Sequence, residues 1–295
     1  MKAALGKYEL FLVLSGAIWG TSFVTTKIGL GSLDPLYFAL LRFALGAAVM
    51  VIAVLALNRF DPKVLWDPLV IFNSIISALA FGLQNIGMTM TTATNSALLI
   101  NINVGIVAIL AAIILKEEIT RRILYGIVVG MVGVVVISTN GDVSAIYSGS
   151  FLGNLLVFGA GLLWAFYIVY MKRTLDRQPD VLMVSTAIIL ETAVFLVPLT
   201  LLFAHDYTIS ETGLWTILYT GILCTGVAYL LYNAGLQRVK ASISSVILLM
   251  ELFFAMVFAV LILSEMPTSA TAMGGGMILL SIGMISFANG NGRKH

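Results

Sequence analysis

Apolar residues along this chain fall into ten blocks of roughly 20, the length a helix needs to cross the hydrocarbon core of a bilayer. Proline, glycine and charged residues punctuate them. The pattern predicts helices over 8–29, 36–57, 68–90, 95–115, 122–138, 151–171, 181–203, 213–236, 242–263 and 270–289. The second block ends at Asn58, Arg59 and the Asp61-Pro62 turn, and the fourth at Lys116-Glu117-Glu118. A polar connection from Thr139 to Ser150 separates five blocks from five.

Composition excludes a soluble globular protein. Only 10% of residues are charged, against roughly 25% in ordinary soluble domains. A mean hydropathy of +1.06 is too high for one anchor on a soluble body. Lys2 and Lys7 before the first block imitate a secretory signal. The stretch from Tyr8 to about Gly29 is longer than the usual signal core of roughly 7–15 residues, so it is read as helix 1. The single Cys224 excludes an intramolecular disulfide and a thiolate metal cluster. No basic run points to nucleic acid.

Charge placement predicts orientation, because cytoplasmic loops retain lysine and arginine. Of the 16 such residues, all but Lys27 and Arg42 fall in the N-terminus, the C-terminus or the loops after helices 2, 4, 6 and 8. Both termini are therefore expected in the cytoplasm, with the chain in the cytoplasmic membrane. Lys27 and Arg42 sit near the outer ends of helices 1 and 2. They can snorkel to the interface or form an external gate or a contact for an anionic substrate.

The halves resemble each other at a shift of 148 residues: Asn85-Ile86-Gly87 faces Asn233-Ala234-Gly235, Ala93 faces Ala241, Ser96 faces Ser244, Glu117 faces Glu265 and Gly126 faces Gly274. At a shift of 145, Trp19 faces Trp164 and Lys27 faces Lys172. A unit of five helices reverses direction when repeated. The expected fold is an all-α membrane protein of ten transmembrane helices in two inverted repeats, 1–140 and 151–290, joined by 141–150. Such repeats commonly place a site near midplane at their interface.

Polar groups inside a membrane are costly, at least roughly 2.5 kcal/mol for a central charge on insertion scales, and usually face a cavity or the bundle interior. Glu251, mid-helix 9, is the leading candidate for substrate contact or proton coupling, and a structural acid is the competing role. Helical spacing puts Ser244 on its face, while helix 4 presents Ser96 and Asn103 in the same way. Trp19 and Trp164 lie too deep for an interfacial belt. With Tyr167, Tyr229, Tyr232 and Gln84 they complete the candidate substrate-binding set, with plain helix packing as the alternative for each ring. Glu191 is a weaker candidate, and Asn101 is expected to bond between helices. Glu117 and Glu265 are expected to cap or join helices, and Gly126 and Gly130 to permit close packing.

These features resemble the EamA-type transporters of the drug/metabolite transporter superfamily. The resemblance is carried by Ser15-Gly16-Ala17-Ile18-Trp19-Gly20-Thr21-Ser22-Phe23 with its echo Gly161-Leu162-Leu163-Trp164, and by Asn103 to Glu117 and Leu249-Met250-Glu251 to Glu265. The chain departs from the family where Leu252 and Val104 stand in place of a common proline, and where Lys116 or Ser264 replaces a usual glycine. The resemblance implies secondary transport, in the exporting direction, of amino acids, related metabolites or toxic organic compounds by alternating access. Proton-coupled multidrug efflux is the alternative. The expected partners are a small-molecule substrate and the bilayer, as a monomer or a homodimer.

A channel and an intramembrane enzyme are the readings from other classes. Glu117-Glu118 with Arg122 superficially matches a membrane protease motif, but the only histidines are His205 and His295, which leaves no buried base. No Walker-type motif is visible. No cofactor, metal or catalytic residue is expected.

Overall fold

The structure, a computed structural model, describes residues 6–91, 96, 99–139, 141, 142, 144, 150–263 and 268–290. The start of predicted helix 4 with Ala93, and Ser264 and Glu265, lie outside them.

Five helix entries carry the same local chemistry. A side-chain oxygen takes a first-turn N–H that has no intrahelical acceptor. Asp34 caps α2 (Pro35–Ala56), Asp67 caps α3 (Pro68–Met90), Ser150 caps α6 (Phe151–Arg177), Asp180 caps α7 (Val181–Phe203) and Ser210 caps the first piece of α8 (Glu211–Arg238). Proline follows the cap in α2 and α3, where its missing N–H costs nothing. The remaining rods are α1 (Lys7–Leu30), α4 (Asn103–Ile114), α5 (Arg121–Thr139), α9 in two pieces (Ala241–Leu248 and Met250–Leu263) and α10 (Ser269–Gly290).

Among the described residues, α1, α2, α3, α6, α7 and α8 are each long and apolar enough to cross a membrane, and 99–114, 241–254 and 272–284 are shorter apolar helices. The fold is all-helical in the described residues. One boundary needs correction: α6 runs to Arg177 rather than 171. Lys172 does not stop it, because Lys172 Nζ pairs with Asp176 one turn on, at 3.0 Å. The helix ends just before Pro179.

Three irregularities interrupt the rods. Residues Thr220–Val227 of α8, between helical pieces Glu211–Tyr219 and Ala228–Arg238, form a π-helical segment, a feature often found at functional sites. Helix α9 tightens at Leu249, whose N–H reaches only back to the Val246 carbonyl. Helix α4 is similarly interrupted at Ile102, immediately before Asn103. Neither break needs a proline.

Helix α3 packs on α6, and α8 on α1; α4 packs on α6, and α9 on α1; α3 meets α7, and α8 meets α2. Glycines set these crossings, since small residues let membrane helices approach closely. A Cβ on Gly87 would lie 2.7 Å from Val157 of α6, and one on Gly235 would lie 2.6 Å from Leu12 of α1. Likewise a Cβ on Gly161 would sit 2.7 Å from the Leu99 carbonyl, while Gly16 rests against the Met250-Glu251 backbone. At the α5–α10 contact a Cβ on Gly130 would come within 2.9 Å of Ser281 Oγ, and Ser281 donates to the Gly126 carbonyl.

Candidate functional site

A cavity opens where these crossings meet, with about 750 Å³ of empty space including its mouth. Trp19, Gln84, Asn103, Trp164, Tyr167, Tyr229, Tyr232 and Glu251 all line it. Of the sequence-predicted set, Ser96 and Ser244 do not: both are buried, with hydroxyls lacking a hydrogen-bond partner among the described residues.

Two matching aromatic corners form the walls. Trp19 meets Tyr229 edge-on with ring centroids 5.2 Å apart, and Trp164 meets Phe81 edge-on at 5.0 Å. Phe81 stands 148 residues before Tyr229, so the register that pairs Gln84 with Tyr232 also marks Phe81, which the sequence reading missed. Each indole N–H is satisfied. Trp19 Nε1 donates to the Cys224 carbonyl within the π segment at 2.8 Å, and Trp164 Nε1 donates to Gln84 Oε1 at 2.9 Å. These bonds fix ring orientation, as buried tryptophans generally require. Ser22 and Thr26 also line the cavity. They follow Trp19 at helical spacings of three and seven, a signal that was available in the sequence.

Glu251 occupies the first turn of the second α9 piece. There the positive end of the helix dipole favours a carboxylate. Asn101 of the opposite half is its side-chain hydrogen-bond partner, the interhelical bond expected of that residue. Asn103 faces the cavity instead. Both helices therefore break within two residues of the polar group they present.

Arg42 departs from the snorkelling expectation. Its residue surface is only 4% exposed and it lines the cavity. The cause is a close crossing one turn away: a Cβ on Gly46 would lie 2.8 Å from Thr225, and one on Gly221 would lie 3.0 Å from the Arg42 carbonyl. That contact rotates Arg42 inward, where Nε donates to Thr225 Oγ1 at 2.7 Å and the guanidinium stands 5.0 Å from the Phe81 ring centre. Lys27 is exposed, compatible with an interfacial role.

Glu191 lies outside the cavity, its carboxyl oxygens buried against Ser74 of α3. Glu117 serves the cap role expected of it. Its carboxylate accepts from Ala241 N at 2.6 Å, Ser242 N at 3.2 Å and Ser242 Oγ at 2.6 Å. It thereby ties the segment after α4 to the start of α9.

Rods long enough to cross a membrane, arranged around an internal cavity with an aromatic and polar lining, define a multi-pass helical membrane protein. The chain belongs to the EamA-like transporter family, whose profile matches residues 6–139 and 151–287. Among its relatives, an uncharacterized transporter of Archaeoglobus fulgidus is 31% identical over 274 residues, covering 91% of this chain and 93% of the relative. The uncharacterized transporter YyaM of Bacillus subtilis is 30% identical over 247 residues, covering 80% of each chain. A solved crystal structure shares the fold with a TM-score of 0.81 at 19% identity, covering 97% of this chain and 99% of the other. The protein is a membrane transporter, not an enzyme.

Proposed function

We propose that the chain is a secondary transporter of small organic metabolites, amino acids or related compounds among them, working as an exporter in the cytoplasmic membrane with both termini in the cytoplasm. Two inverted repeats, 1–140 and 151–290, alternate access to the central cavity. The observation carrying this reading is the matched pair of aromatic corners, Trp19 with Tyr229 and Trp164 with Phe81, each contributed by both halves. The paired packing of α3 on α6 and α8 on α1 supports it further, since exchanging equivalent units is how such folds switch sides. Trp19, Gln84, Asn103, Trp164, Tyr167, Tyr229, Tyr232 and Glu251 contact substrate in this scheme. Ser96 and Ser244, buried and unpartnered in this conformation, join the site when α4 and α9 move.

Glu251 favours a second element of the reading. Glu251 is the one acidic group among the residues lining the cavity, and a carboxyl so placed is suited to exchanging a proton during the cycle, as proton-coupled multidrug efflux requires. The test is flux into liposomes for a panel of amino acids, other organic acids, nucleobases and amphiphilic cations. A carrier gives saturable uptake accelerated by substrate on the far side. Linear uptake without counterflow across the panel sinks the reading.

A further inference from the structure

The cavity contains a fixed charge that the protein leaves largely unanswered. Arg42 carries a guanidinium, the least readily neutralised of the side-chain cations, and is 4% exposed. Its Nε is held by Thr225 Oγ1, yet no hydrogen bond from its terminal nitrogens occurs among the described residues. No ion pair to it occurs there either, the salt bridges being Arg59 with Asp180 and Lys172 with Asp176. Nor are those terminal nitrogens sealed in, since they are absent from the buried, unsatisfied atoms while the residue lines the cavity. A buried cation is tolerated in a membrane when it is paired or wetted. Here one edge of the guanidinium is anchored and the other faces the space a ligand would occupy.

A planar fork of N–H donors matches a carboxylate in geometry as well as charge. Glu251 lines the same cavity but is already engaged by Asn101. Phe81 lies against the guanidinium and Tyr229 lines the same cavity; both rings are suited to an apolar body rather than a second charge. Thr225, by holding Nε, and the Gly46–Gly221 crossing, by holding α2, fix the direction of the fork.

We infer that the cavity takes small organic acids, with the carboxylate gripped by the terminal nitrogens of Arg42 and the apolar body against Phe81 and Tyr229. This deepens the transport reading and rests on it for the cavity's role. The experiment is calorimetric binding to the purified full chain of two matched pairs: propionate with propionamide, and 3-phenylpropionate with 3-phenylpropionamide. In the unaltered protein the acids should bind about tenfold or more tightly than their amides. Arg42→Gln should abolish that preference, and Arg42→Lys, which keeps charge but loses the fork, should retain only part of it. Equal binding of acid and amide, absence of acid binding, or a preference that survives Arg42→Gln overturns the inference. The first two outcomes are read on the unaltered protein, so variant misfolding cannot mask them. Saturable counterflow of nucleobases or cations without acid binding would leave the carrier reading standing while removing this one; acid binding without counterflow of any compound would do the reverse.

Discussion

Glu117 and Ser242 are joined by a 2.6 Å hydrogen bond from the Ser242 hydroxyl to the Glu117 carboxylate, which also takes the backbone N–H groups of Ala241 and Ser242. One acid thus caps a helix belonging to the other half of the chain. In the proposed cycle the tie would cross the seam that alternating access has to open, and would act as a latch at that end. Glu117→Gln should lower stability by about 1–2 kcal/mol, as loss of a helix cap generally does. In a Cys224→Ala background it should also increase labelling of a cysteine at Leu248 by an impermeant thiol reagent applied from the Glu117 side. Unchanged labelling would reduce the tie to simple capping.

The glycine crossings predict sharply different costs for one extra methyl group. Gly87→Ala and Gly235→Ala place a Cβ 2.7 Å and 2.6 Å from facing side chains and should each destabilise by about 1–3 kcal/mol, as overpacking does. Gly105→Ala meets nothing within 4 Å and should change stability by less than about 0.5 kcal/mol. Thermal unfolding in detergent distinguishes them.

Two of the four tryptophans line the cavity, whereas Trp66 and Trp215 are 77% and 65% exposed. Substrate should therefore quench fluorescence equally well in a Trp66→Phe, Trp215→Phe protein. Trp164→Phe frees Gln84 Oε1 from its donor and should weaken binding by about tenfold. Quenching that disappears with the exposed pair would move the binding site elsewhere.

Glu251 gives a direct test of coupling. If its carboxyl carries the proton, Glu251→Gln should eliminate the response of flux to a pH gradient while sparing substrate counterflow, which needs no net proton movement. Flux that ignores pH in the unaltered protein, with Glu251→Gln also without effect, would leave Glu251 as a structural acid paired with Asn101.

Hydropathy made the helical rods legible, because any backbone in lipid must satisfy its own hydrogen bonds. Internal register made Trp19 and Trp164 legible as facing positions, and applied to Tyr229 it would have marked Phe81 and completed the second corner. The inward turn of Arg42 was only one of several roles open to it, since a cation near a helix end can equally reach the interface. What decides between them is the rotation of α2, fixed by Gly46 against Gly221 and Thr225, a contact between residues far apart in sequence. The breaks at Ile102 and Leu249 were obscured for another reason. Proline is the usual signal for them, and the chain breaks both helices without it, where Gly16 and Gly161 bring α1 and α6 against the interrupted segments.

The wide turn at Thr220–Val227 gives α8 a property no regular helix of its length would have. Each residue of an ordinary helix advances by about 100°, so an extra residue absorbed in one turn rotates everything beyond it. Thr216 and Ile217 before the turn, and Tyr229 and Tyr232 after it, are consequently all buried on the protein side. Removing a single residue from that turn would let the rod relax to uniform pitch, swinging both tyrosines toward the acyl chains and emptying one wall of the cavity with every side chain still present.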